Sequence, residues 1–187
     1  MRMALLGLLA AVWMASGFAA IDAAAQEARP KPEIGLAAGQ EVPFFVVDFC
    51  HGEHSGHAGC PGVMTSNAMA RGVLLFSRAA DEPARQLAKE LDAKLVDGKQ
   101  VKGFLIVIGG TSTELAKQCQ DDGLKHFIAG IPRDQSLDRL KQLGLSDEVF
   151  HAVVLLDRKL VKASYLLKRG ELTAEKQKEI VAALAGP

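Results

Sequence analysis

The stretch GVLLFSRAADEPARQLAKELDAKL, residues 72–95, decides the class of fold. Gly72 to Ser77 is a continuous apolar run, too short for a helix and apolar at both parities, as a strand covered on both faces must be. Asp81 and Glu82 then stand where the positive end of a helix dipole favours carboxylates, and Pro83 suits a first helical turn. Ala84, Leu87, Ala88, Leu91 and Leu95 recur at helical spacing and form one apolar face. A buried strand followed at once by an amphipathic helix is the building unit of an α/β protein.

The same unit recurs downstream. Val101 to Ile108 (VKGFLIVI) reads as a second buried strand, closed by Gly109-Gly110. Ser112 or Thr113 can cap the helix after it, whose inner stripe is Leu115, Cys119 and Leu124. Upstream, Val42 to Phe49 (VPFFVVDF) reads as a first strand. A shorter helix fits Ser136 to Leu143, stopped by Gly144. Ala152 to Leu156 and Leu160 to Leu167 are two strands separated by Asp157-Arg158-Lys159, the spacing of a hairpin. Thr173 caps a last helix with Ile180, Val181 and Leu184 inward. This order predicts a three-layer α/β sandwich with a mixed central sheet.

Met1-Arg2-Met3 and the apolar run Ala4 to Ile21 form a leader, and Ala23-Ala24-Ala25 fits the cleavage rule before Gln26. Residues 1–25 therefore read as a signal peptide and the protein as periplasmic or secreted; an uncleaved membrane anchor is the alternative. Export permits disulfides. Residues 26–40, with Pro30, Pro32 and two glycines, read as an extended arm, and 41–187 as one domain. The chain carries 22 basic and 22 acidic residues. That balance, without a basic run, argues against nucleic acid or an anionic membrane as partner and leaves a protein partner of unspecified kind. No G-x-S-x-G, P-loop or H-E-x-x-H pattern occurs, so the common hydrolase and nucleotide chemistries have no support.

The order of elements, with its terminal hairpin and helix, resembles the thioredoxin fold, and details resemble its redoxin branch of peroxiredoxin-like and thioredoxin-like exported proteins. Pro43-Phe44-Phe45-Val46-Val47-Asp48 resembles the P-x-F-x-x-x-D opening of redoxins, with one residue fewer before the aspartate. Val153-Val154-Leu155-Leu156-Asp157, a basic turn and Gly170-Glu171-Leu172 resemble their closing hairpin and last helix. The resemblance spans about residues 36 to 185 and implies thiol chemistry at the start of the helix after the central strand. Asp81-Glu82-Pro83-Ala84 stands there instead, with neither the C-x-x-C pair nor a peroxidatic cysteine. His151 takes the place of the family's cis-proline. A carboxylate cannot attack a disulfide, so the resemblance implies a domain without the usual dithiol site.

Cys50 to Cys60 (CHGEHSGHAGC) gathers three of the five histidines and two of the three cysteines. Its glycines, Gly52, Gly56 and Gly59, argue for a mobile loop. Three chemistries fit. A Cys50–Cys60 disulfide would contribute about 2–3 kcal/mol by closing a short loop. Cys50, His51, His54, His57 and Cys60 are candidate ligands for zinc or copper, the two thiolates joined by two imidazoles. The two cysteines could also cycle as a displaced redox pair; Cys60-Pro61-Gly62-Val63 resembles a C-x-x-C, found ahead of the first core strand in some exported relatives, with its second cysteine lost. Cys119 reads as core packing, and His126 as a structural histidine. The expectation is a non-catalytic or binding protein with a disulfide-closed or metal-loaded loop. The competing expectation is a thiol-disulfide oxidoreductase whose catalytic residues are Cys60 and Cys50.

Overall fold

The computed structural model describes residues 36–68, 70–95 and 101–185. The leader and the first part of the arm lie outside them. The apolar run at residue 72 becomes β3 (Arg71–Ser77), and its neighbours explain why it must be apolar on both faces. β3 pairs in parallel with β4 (Val101–Val107) and antiparallel with β6 (His151–Asp157), so Leu75 lies between Leu105 and Val153. Val73 and Leu75 enter one core, and Leu74 and Phe76 enter the other. All four are fully buried, each stabilising the fold by about 1.5–3 kcal/mol relative to an exposed position.

β5 (Phe127–Pro132) continues the sheet parallel to β4, and β1 (Val47–His51) runs antiparallel beside it. β2 (Ala58–Gly59) is the short edge beyond β1, and β7 (Leu160–Leu167) is the opposite edge, beyond β6. The strand order is β2-β1-β5-β4-β3-β6-β7. One face is covered by α2 (Glu82–Asp92), α3 (Ser112–Asp121) and α5 (Ala174–Ala185), through Leu87, Leu91, Leu115, Cys119, Ile180 and Leu184. The other is covered by α1 (Pro61–Asn67) and α4 (Leu137–Gln142), with Phe45, Phe49, Met64 and Leu140 among its packing residues. The mixed, three-layered α/β architecture expected from the sequence is the one observed.

Several boundaries differ for local reasons. The first strand joins the ladder at Val47 rather than Val42, because Pro43 has no N–H to donate and the Val46 N–H is taken by Ser136 Oγ at 2.9 Å. The helix expected from Ser136 is preceded by a 3₁₀ turn, Asp134–Ser136, and its α-helical part begins at Leu137. The stretch from Cys50 to Cys60 is a β-hairpin: Phe49 donates to the His57 carbonyl at 2.9 Å, and Gly52 and Gly56 turn the chain with φ of 88° and 83°. A Cβ on Gly52 would stand 2.7 Å from the Phe127 carbonyl oxygen, so this turn is pressed against β5. The end of the arm also docks on the sheet, with Gly39 N–H donating to Val161 and Ser164 Oγ donating to Leu36. Among the described residues no helix is long and apolar enough to cross a membrane.

Candidate functional site

β3 and β4 both end at one edge of the sheet, and each hands the chain to a helix whose first turn starts there. Between them opens a cleft of about 430 Å³ whose lining includes Arg78, Asp81, Gly109, Thr111, Glu114 and Gln118. Crevices at the carboxyl ends of parallel strands are where open α/β sheets bind ligands. No sulfur lines this one. Asp81 is the N-cap of α2, accepting from the Ala84 N–H at 3.2 Å. Thr111 caps α3 and forms a reciprocal capping box with Glu114. Arg78 is held by carbonyls, its Nε donating to Val149 at 2.9 Å and its Nη2 to Ser146 at 2.6 Å. Gly109 has a steric reason: a Cβ there would lie 2.7 Å from the Arg78 carbonyl oxygen.

Behind Asp81 lies a buried polar group that the residue spacing conceals. Ser77 and His151 are opposite one another in the β3–β6 register, and Ser77 Oγ is 3.0 Å from His151 Nδ1. The Ser77 hydroxyl donates to the Ala79 carbonyl in a short hydrogen bond, so its only proton is committed and Nδ1–H is the donor in the pair. His151 Nε2 then faces Asp81 Oδ2 at 3.4 Å, and a second proton taken up by the ring would sit against that carboxylate. Burial lowers the His151 pKa, Asp81 opposes that shift, and Arg169 adds to it. Phe150 packs edge-on to the imidazole at 4.8 Å, beneath the Arg169 guanidinium. This is not a hydrolase triad. The serine is fully buried, its proton is engaged elsewhere, and the nitrogen facing the carboxylate is the one that should face the nucleophile.

The Cys50–Cys60 residues are dispersed by the hairpin. Gly59 pairs with Val47, so Cys60 stands beside Val46, four residues from Cys50; at strand rise that is about 13 Å, against the 7 Å limit for a disulfide. All three cysteines are unbridged. Cys60 is the N-cap of α1, whereas Cys50 packs against the core shared with α3. His51 Nε2 meets the Leu124 carbonyl at 3.0 Å, and His57 Nδ1 meets that of Ser55 at 3.3 Å. His54 lies 3.3 Å from Glu53, whose carboxyl is held below its ordinary range by the hydrogen bond from Lys102. Among the described residues no three His, Cys, Asp or Glu side chains converge as a metal site. His126 is outside the hairpin; its backbone N–H, with those of Lys125 and Phe127, donates to the buried carboxylate of Asp92.

No family model matches the chain, and no curated protein matches it in sequence. Solved structures match it in three dimensions. A thiol peroxidase from Chromobacterium violaceum is 14% identical with a TM-score of 0.57, covering 82% of this chain and 90% of that one. A secreted Mycobacterium tuberculosis disulfide oxidoreductase, homologous to E. coli DsbE, is 14% identical with a TM-score of 0.53, covering 75% and 96%. A Plasmodium vivax 2-Cys peroxiredoxin is 18% identical with a TM-score of 0.56, covering 79% and 81%.

Proposed function

We propose, on the premise of the thioredoxin-like fold this chain shares with those structures, that it is an exported binding domain without a dithiol cycle at the usual place. One observation carries the reading: Asp81, not a thiol, begins the helix after the central strand, and His151 and Ser77 back it in a buried hydrogen-bonded group. Thiol exchange needs a thiolate that can reach a partner's disulfide. Asp81 offers oxygen in its place, and oxygen at that position binds and orients rather than exchanges. The occupant we expect is an extended protein segment. Gly109 and Gly110 present main chain without side chains, flanked by the hydroxyl, amide and carboxylate of Thr111, Gln118 and Glu114.

Closure of the 50–60 turn by a disulfide or by zinc or copper is not part of this reading. Either would require the hairpin register to break, since both use Cys50 and Cys60 together. A displaced redox pair of Cys60 and Cys50 meets the same obstacle. The deciding assay is reduction of insulin by dithiothreitol in the presence of the mature protein. The expected rate is the uncatalysed one. Rapid turnover that vanishes in Cys60→Ser would overturn the binding-domain reading and establish the oxidoreductase.

A further inference from the structure

Cys119 sits on the inner face of α3, one turn from Leu115, and is buried. α3 packs directly on β1, and the residue of β1 that meets the same core is Cys50. Alternation along the strand sends Phe49 into the core under α1 and α4 and Cys50 into the core under α2, α3 and α5. Phe49 pairs with Gly130 and His51 with Ala129, so Cys50 is the extra residue of a β-bulge. The two sulfurs are near enough for charge on Cys50 to act on the Cys119 thiol. His51 meets the Leu124 carbonyl, just beyond the end of the same helix.

We propose that Cys50 and Cys119 form an oxidation-dependent disulfide that staples the bulge of β1 to α3. The pair is about 70 residues apart in the chain and has no spacing motif, which is why Cys60 looks like the natural partner of Cys50. Cys50 is the less buried member and reacts first, although burial raises its thiol too. Its thiolate attacks a small disulfide such as oxidised glutathione, forming a mixed disulfide and releasing one glutathione thiolate. Cys119 gives up its proton and attacks the Cys50 sulfur, closing the bridge and releasing the second. Two protein thiols are oxidised, and one molecule of oxidised glutathione becomes two of reduced. The second step is the slow one: in the reduced protein the Cys119 thiol is pushed up to about 12, chiefly by burial, and burial persists once Cys50 carries the glutathione. The staple would hold α3, whose Thr111, Glu114 and Gln118 form one wall of the cleft.

The test uses the mature chain, reduced and then exposed to oxidised glutathione at mildly alkaline pH, with intact mass and unreduced peptide mapping as readouts. Wild type and Cys60→Ser should both lose the mass of two hydrogens and yield one cross-linked peptide containing Cys50 and Cys119. Cys119→Ser and Cys119→Val should stop at a glutathione adduct on Cys50, the second variant preserving apolar packing if the first folds poorly. A Cys50–Cys60 cross-link overturns the proposal. So does an adduct that persists on Cys50 of folded wild type while Cys119 stays free.

Discussion

Replacing Asp122 with asparagine should reveal how α2 is held to the C-terminal end of α3. Asp122 follows the last turn of α3, its side chain only 4% exposed. Its two oxygens receive Arg85 Nε and Nη2, each at 2.6 Å, in a bidentate fork, and Lys89 Nζ comes within 2.8 Å. The hydrogen bond from Arg85, aided by Lys89, pulls the carboxyl from 3.8 down to about 2, against the opposing effect of burial. The folded pKa is depressed, so the stabilisation is fully present above about pH 4 and is lost as pH falls through 2. Its size is about 2.5 kcal/mol at pH 7 and about half that at pH 3. Urea unfolding of wild type and Asp122→Asn should therefore show a gap of about 2.5 kcal/mol at pH 7, narrowing by about 1 kcal/mol at pH 3. A gap below about 0.5 kcal/mol at neutral pH, the range of an exposed ion pair, would refute the clamp. An unchanged gap between the two pH values would refute its electrostatic origin.

His151 should make stability fall on mild acidification. Its folded pKa lies below the ordinary 6.5, so the unfolded chain binds more protons below that value and stability rises with pH up to about 6.5. His151→Asn, which keeps a donor towards Ser77, should flatten that slope; an unchanged slope in urea unfolding between pH 5 and 7 would remove His151 as its source. Zinc titration of the reduced protein should show no stoichiometric uptake that depends on His54 and His57. One equivalent bound by wild type and lost in the double alanine variant would show that the hairpin rearranges around metal.

Most of the sheet was legible from local chemistry. The runs at 72–77 and 101–108 are apolar at both parities because their strands are covered on both faces, and the helix after each carries a stripe at helical spacing. The hairpin near the C-terminus was legible from two strand patterns and a short polar separator. α1 was not, since Pro61 to Asn67 has seven residues and little apolar periodicity. Nor was the docking of the arm, which uses main-chain groups common to every sequence.

The sites divide along the same line. Sequence alone identified Asp81 to Ala84 at the start of the second helix of the fold, because an N-cap and a first turn are local signals. It also marked Cys50 to Cys60 by density, and the hairpin disperses those side chains. Nearness along a chain does not set which side chains meet in a strand, because alternate residues leave by opposite faces. Tertiary structure placed Ser77 behind Asp81 with His151, across a ladder joining residues 74 positions apart. It also brought Cys50 under α3 rather than towards Cys60. Such pairings follow from strand order and helix layering, which emerge only when the whole apolar core closes.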